Sequence, residues 1–260
     1  MEETPGRADT LQSLERGLAV LQVFSKEHPR LTLSDVARLT GVTRATARRI
    51  LLTLQHLGYV RADGRLFSLT PRVLSLGFGY LSSLNLWDIA QPFMEELVEQ
   101  THESCSAATL DLPDIVYVAR VPTRRIMTIS LGIGSRLPAH ATSMGRVLLA
   151  DLPDDELDAY LATGPFTAHT ERTTVDPDEL RTAVRRVREQ GWSLVDQELE
   201  MGLRSISAPI RGADGRAVAA LNIAAAAPRV GLDDLREQFL PRMLATAEQI
   251  SLAFSRSGRR

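Results

Sequence analysis

The chain has 260 residues, room for about two domains of roughly 150 residues each. With 24% charged and 44% hydrophobic side chains it can bury a real core. No run approaches the ~18 consecutive apolar residues of a membrane-spanning helix. A single cysteine, Cys105, excludes an intramolecular disulfide and a cysteine-rich metal centre. The net charge of −2 hides an asymmetry: residues 1–80 carry 11 basic and 7 acidic groups, and the rest carry 19 and 25. A basic first third suggests contact with a polyanion. The polar start MEETPGRADTLQ holds no apolar core of the signal-peptide kind, so the expected compartment is the cytoplasm.

Residues 1–9 read as a frayed tail. LQSLERGLAVLQVF places Leu11, Leu14, Leu18, Leu21 and Val23 near helical spacing, and Pro29 stops that helix. LTLSDVARLTG reads as a short amphipathic helix with Ser34 as N-cap and Gly41 at its end. RATARRILLTLQHLG is a further helix, capped by Thr43. YVRADGRLFSLT reads as two strands around an Asp63-Gly64 turn. Helix, helix, tight turn, helix and hairpin is the element order of a winged helix-turn-helix. PRVLSLGFGYLSSLN is a helical connector weakened by Gly77 and Gly79, and LWDIAQPFMEELVEQTHES is a helix carrying Pro92. From Ser106 the texture changes. SAATLDL, DIVYVARV and IMTISLG are strand-like, and TSMGRVLLADL starts a helix capped by Thr142 or Ser143. Two helices are expected near 153–162 and 176–190, the second opened by Asp176-Pro177. WSLVDQ, RSISAPIR and AVAALNIAAA read as strands, the last two joined by Ala213-Asp214-Gly215, and a final helix spans about 233–254. The expected class is α+β, with an antiparallel sheet in residues 81–260.

In the helix after Thr43, Ala47, Ile50, Leu51, Leu54 and Leu57 form one apolar stripe. The opposite face near its start offers Arg44, Ala45, Arg48 and Arg49, with Thr43 and Thr46 alongside. A recognition helix needs this layout, because its first residues must meet base edges while its back packs on the domain. Arginine can grip guanine with two hydrogen bonds, and alanine or threonine methyls can meet the thymine methyl. Arg61 and Arg65, around the hairpin turn, are placed for phosphate or the minor groove. An amphipathic helix with a solvated arginine face is the plain alternative. The agreement of neighbouring elements favours double-stranded DNA binding.

These residues resemble the IclR family of bacterial transcription regulators, over about residues 11–254. SLERGLAVLQVF resembles its first helix, LTLSDVARLTGVTRATARRILLTLQHLGYV its helix-turn-helix, and LPAHATSMGRVLLA a segment built on a His-Ala motif. GWSLVDQELEMGLRSISAPI resembles its C-terminal block, with wording similar to the subgroup controlling protocatechuate, 4-hydroxybenzoate and β-ketoadipate catabolism. The resemblance implies a winged helix-turn-helix domain over 11–72, a linker helix region over 73–92 and a GAF-like effector domain over 93–255. It also implies a dimer or dimer of dimers on a palindromic operator, tuned by a small organic acid. No metal or cofactor is implied.

A small acid needs a concave site with hydrogen-bond donors, and a helix N-terminus supplies both free N–H groups and a positive dipole end. The start at Ser143-Met144-Gly145 is the candidate. In the family the corresponding pair is commonly smaller, often glycine and alanine. Asp196, Ser205 and Asn222 match the family's pocket positions, and Ala224 stands where a serine is frequent. Ser205 and Asn222 could instead satisfy buried backbone groups. His140 is read as a structural hydrogen-bonding residue, Cys105 as a small buried residue and Trp87 as packing. Arg124 and Arg125 are read as a solvated loop, and the arginines of 181–188 as a helix surface. His140, Ser143 and Asp196 can be imagined as a hydrolase triad, but there is no G-x-S-x-G elbow, no HExxH and no Walker A loop. No catalytic residue is expected. The alternatives are a regulator of an unrelated carboxylate pathway and a nonspecific DNA binder, and the acidic second part argues against the latter.

Overall fold

The computed structural model describes residues 10–84, 86–123 and 131–257, with 81–84 by backbone alone. The expected tail, Arg124, Arg125 and most of the IMTISLG strand lie outside the described residues. The chain forms two compact units, Met1–Ser83 and Leu84–Arg260.

The first unit runs α1 (Gln12–Gln22), β1 (Leu31–Thr32), α2 (Leu33–Thr40), α3 (Arg44–His56), β2 (Val60–Asp63) and β3 (Leu66–Leu69). After a 3₁₀ turn, Pro71–Val73, comes α4 (Leu74–Leu84). The strands form a small antiparallel sheet in the order β1-β3-β2. Pairing of Asp63 with Leu66 leaves Gly64-Arg65 as the two-residue turn, one position later than expected. Gly64 holds φ +59°, a left-handed value that suits the twist of a tight hairpin. The N-cap of α2 is Thr32 rather than Ser34. Thr32 Oγ1 accepts the Asp35 N–H at 3.2 Å while the Asp35 carboxylate accepts the Thr32 N–H at 3.0 Å. This reciprocal box satisfies two otherwise orphaned donors, which Ser34 cannot do. Gly41 ends α2 in the left-handed conformation, and Thr43 caps α3 by accepting the Thr46 N–H.

The core of this unit is Val20, Phe24, Leu31, Val36, Ala37, Ala47, Leu51, Leu54 and Val60. Burying each large side chain stabilises the unit by about 1.5–3 kcal/mol. The α1 stripe is therefore shifted from the expected one. Val20 and Phe24 face inward, whereas Leu11, Leu14 and Leu18 stay exposed at 70%, 59% and 48%. Leu57, expected at the end of the α3 stripe, is also exposed, because the helix stops at His56.

The second unit opens with α5 (Leu86–Thr101), whose Leu86, Ala90, Met94, Leu97 and Thr101 form one buried stripe. Then follow β4 (Ser104–Asp111), β5 (Asp114–Val121), β6 (Arg136–Pro138), α6 (Ser143–Ala150), α7 (Asp154–Leu161), α8 (Pro177–Gln190) and β7 (Ser193–Asp196). β8 (Leu203–Arg211), β9 (Ala217–Ala226), α9 (Leu232–Asp234) and α10 (Leu240–Ser257) complete it. The six strands form one antiparallel sheet ordered β6-β5-β4-β9-β8-β7. One face carries Ala108, Ile115, Tyr117 and Ala220 and packs with residues of α6, α7 and α8. Alternate residues, including Cys105, Ala107, Ile206 and Ile223, are equally buried on the face packed with α5 and α10. A sheet covered on both sides explains why AVAALNIAAA is apolar throughout instead of alternating. The expected continuous last helix is interrupted by a π-helical turn, Leu235–Phe239. Pro241 follows it, and a proline has no N–H to give a regular preceding turn. Among the described residues no helix is long and apolar enough to cross a membrane.

Candidate DNA-reading helix and ligand cavity

In the first unit, α3 buries Ala47, Leu51 and Leu54 and turns Arg44, Ala45, Arg48 and Arg49 outward. Thr43 is exposed at the cap and donates its hydroxyl to Thr46 Oγ1 at 3.0 Å, which fixes the first turn. Among the described residues no carboxylate pairs with Arg44, Arg48 or Arg49; the unit's ion pairs are Arg30–Asp63 and Arg38–Asp35. Arg61 lies on β2 with Nε donating to Ser68 Oγ at 3.1 Å, and Arg65 is exposed in the turn. The guanidinium of Arg72 sits over the Tyr59 ring at 5.5 Å and steadies the exit from the hairpin. The expected DNA-facing residues thus occupy one helix start and one hairpin of the same small unit.

In the second unit a cavity lies between the sheet and the start of α6. Its lining includes Tyr117, Arg120, Ser143, Met144, Ser205 and Asn222. The cavity holds about 530 Å³ of atom-free space, its open mouth included. Thr142 caps α6 by accepting the Gly145 N–H at 3.1 Å. The N–H groups of Ser143 and Met144 belong to the first turn and have no intrahelical acceptor. Ser143 Oγ donates to Ser205 Oγ at 2.8 Å and lies 2.6 Å from Ser207 Oγ. Asn222 Oδ1 accepts the Ser106 N–H at 3.1 Å. Among the described residues no aspartate or glutamate lines the cavity. Burial pushes the Tyr117 phenol up to about 12, so it stays protonated.

Gly145 and Asp196 do not line this cavity. Gly145 is fully packed: a Cβ there would lie 2.1 Å from the Ala139 carbonyl oxygen, so its role is to let α6 meet that segment. Strand pairing sets Val195 opposite Ser205 and Asp196 opposite Arg204. Val195 faces the cavity, and its successor must face away. The Asp196 carboxylate is instead held by Arg204 Nε at 2.5 Å and Arg172 at 2.9 Å. Burial pushes that carboxyl up, but the Arg204, Gln197 and Arg172 partners together hold it below the usual range. Asp196, expected at the acid site, thus stands in an ion pair outside the described cavity lining.

His140 Nε2 donates to the Thr167 carbonyl at 3.0 Å, and its ring stacks on Phe166 at 4.9 Å. Burial holds its pKa below the ordinary value. Behind α6, Arg146 is buried with Nε on the His140 carbonyl and a terminal nitrogen 2.5 Å from Glu198. Glu198 also accepts the Thr174 N–H at 2.8 Å. Cys105 is buried and its thiol is pushed up by desolvation, which suits a small packed residue. The arginines of α8 include Arg181 and Arg188, paired with Asp158 and Asp154 at the surface. Among the described residues no cluster of three or more metal-ligating side chains occurs.

The IclR helix-turn-helix domain matches residues 13–64, and the C-terminal domain of the bacterial transcriptional regulator IclR matches residues 78–252. The chain belongs to the IclR family of bacterial transcriptional regulators. It is 46% identical over 246 residues to the Pca regulon regulatory protein of Pseudomonas putida, covering 94% of this chain and 84% of that one. A solved transcriptional regulator of Rhodococcus sp. RHA1 is 56% identical, with a TM-score of 0.84 over 95% of this chain and 100% of that one. A double mutant of the PobR inducer-binding domain from Acinetobacter, solved with 3-hydroxybenzoic acid, is 31% identical with a TM-score of 0.60. That match covers 64% of this chain and 97% of the other.

Several lining residues of this IclR-family cavity are not apparent from the sequence, and among the described ones Arg120 alone is charged. Arg120 and Tyr117 are three residues apart on β5, and strict alternation sets them on opposite faces. A bulge at Val118 absorbs one residue: Ala107 pairs with Ala119, but Ala108 pairs with Tyr117. Both side chains therefore face the cavity, and Arg120 donates to Ser106 Oγ at 3.4 Å beside it. Nothing in DIVYVARV announces the bulge.

Proposed function

We infer that the chain is a sequence-specific, DNA-binding regulator of an aromatic-acid catabolic operon, with operator affinity set by a small organic acid. The observation that carries this reading is the 46% identity, over nearly the whole chain, to a Pca regulon regulatory protein. The proposed DNA contacts are Thr43, Arg44, Ala45, Thr46, Arg48 and Arg49 at bases and nearby phosphates, with Arg61 and Arg65 at the backbone. The proposed acid site is the cavity. There the first turn of α6, Ser205 and Asn222 supply donors and Arg120 supplies positive charge. The PobR domain solved with 3-hydroxybenzoic acid supports an aromatic carboxylate as the kind of ligand. Residues 73–92 serve as the linker region, and the protein acts in the cytoplasm without catalytic turnover of the acid.

The oligomer is proposed to be at least a dimer. Leu11, Leu14 and Leu18 on or next to α1 and Leu74, Leu76 and Phe78 on α4 are all exposed. A wide apolar groove between α1 and α3 also takes in Leu76. Exposed apolar surface of this extent within one small unit suits contact with a second copy. The acid can alter DNA binding only by favouring one arrangement of the protein over another.

Capture of sheared genomic DNA by the purified chain at near-physiological salt, with and without 3-hydroxybenzoate and protocatechuate, tests the reading. Enrichment of one palindrome beside an aromatic-acid operon, altered by an acid, is the expected result. Uniform recovery of DNA in both conditions excludes it.

A further inference from the structure

Ser207 lies two residues beyond Ser205 on β8, is fully buried, and is not part of the cavity wall. Its hydroxyl is 2.6 Å from Ser143 Oγ, and Ser143 Oγ donates to Ser205 Oγ at 2.8 Å. Each serine hydroxyl has one hydrogen to give. Burial decides which way this chain runs. Among the described residues the Ser207 hydroxyl has no other hydrogen-bond partner, and a buried donor left unsatisfied is costly. Ser207 therefore donates to Ser143, Ser143 donates to Ser205, and Ser205 keeps its own hydrogen for the cavity.

Asn222 is oriented in the same sense. Its Oδ1 is occupied by the Ser106 N–H, so the NH₂ group is what it offers the cavity. The N–H groups of Ser143 and Met144 add two more donors. Among the described residues this end of the cavity therefore presents chiefly hydrogens. A carboxylate, which only accepts, satisfies all of them. A carboxamide of the same shape sets an NH₂ group where an oxygen would accept from these donors, and an unmatched polar group is what rejects near-isosteric ligands most strongly.

We propose that Ser207, although it touches no ligand, is a positioning residue that locks Ser205 as a donor and makes the cavity select an ionised carboxylate over the matching amide. The inference rests on the cavity being the effector site.

Titration calorimetry on the full-length chain with 3-hydroxybenzoate and 3-hydroxybenzamide tests it. The unaltered protein is expected to bind the acid at least about tenfold more tightly than the amide, as for hydrogen bonds to a charged group. Ser207→Ala frees the Ser205 hydrogen to turn back toward Ser143 and is expected to lower the acid-to-amide ratio to about threefold or less. Ser205→Ala is expected to lower it equally. The double variant is expected to lose no more than Ser205→Ala alone, because Ser207 acts only through Ser205. If Ser207→Ala does not fold, Ser207→Cys keeps the volume with a weak donor and is expected to give the same drop. An unchanged ratio in the Ser207 variants overturns the proposal, as does a loss that adds to that of Ser205→Ala. Failure of the unaltered, operator-binding protein to bind 3-hydroxybenzoate overturns the aromatic-acid reading itself, and the role of Ser207 with it.

Discussion

At the scale of single residues, charge placement decides the outcome. Arg48 and Arg49 project from the outer face of α3. Arg48→Ala or Arg49→Ala is expected to cost about 1–3 kcal/mol on the specific operator and to relax specificity at the contacted base, measured by fluorescence anisotropy on matched and mutated sites. Unchanged affinity in both variants rules out α3 as the reading helix. Glu198 is a second sensitive residue, because its carboxylate neutralises the buried Arg146. Glu198→Ala leaves that cation unpaired and is expected to destabilise the second unit by about 3–5 kcal/mol in chemical denaturation. His140 sets a pH dependence. Burial depresses its pKa, so the unfolded chain takes up a proton below about 6.5 that the folded chain refuses. Stability from this group is complete above that pH and declines as pH falls toward the folded value. Thermal unfolding of His140→Phe, compared with the unaltered chain from pH 7.5 to 5, is expected to show a shallower decline.

At the scale of elements, helices were legible wherever a cap and a stripe agreed. Thr43, Thr142 and Asp176 each accept the backbone N–H their positions implied. The α2 cap is ambiguous in the sequence because Thr32 and Ser34 are both good caps, and only the Asp35 carboxylate three residues after Thr32 separates them. The cavity was half legible. Ser143, Met144, Ser205 and Asn222 do meet, whereas Asp196 does not, because a one-residue step along a strand reverses the face. Arg120 was invisible for the complementary reason: the Val118 bulge cancels a step that alternation counts. Gly145 exposes a tighter constraint on α6. Gly145→Ala must push the helix off the Ala139 backbone, at about 1–3 kcal/mol of overpacking or more. Differential scanning calorimetry is expected to show a lower Tm together with weakened acid binding.

At the scale of the whole molecule, the two units divide the labour suggested by their opposite charge. Exposed leucines at α1 give the first unit an apolar surface that a lone chain leaves wet. Leu14→Glu with Leu18→Glu is expected to shift sedimentation toward monomer and weaken operator binding, while acid binding in the second unit persists. Trp87 offers one more use of the same architecture. It is the second residue of α5, close to the start of the second unit, and its buried indole N–H meets no acceptor among the described residues. The chain has only two tryptophans, so Trp192→Phe leaves Trp87 as a single built-in fluorophore. The emission of a half-buried indole shifts when its surroundings change. Any rearrangement that carries the acid's signal past the start of α5 is then readable as a spectral shift in unlabelled protein, in real time and without DNA present.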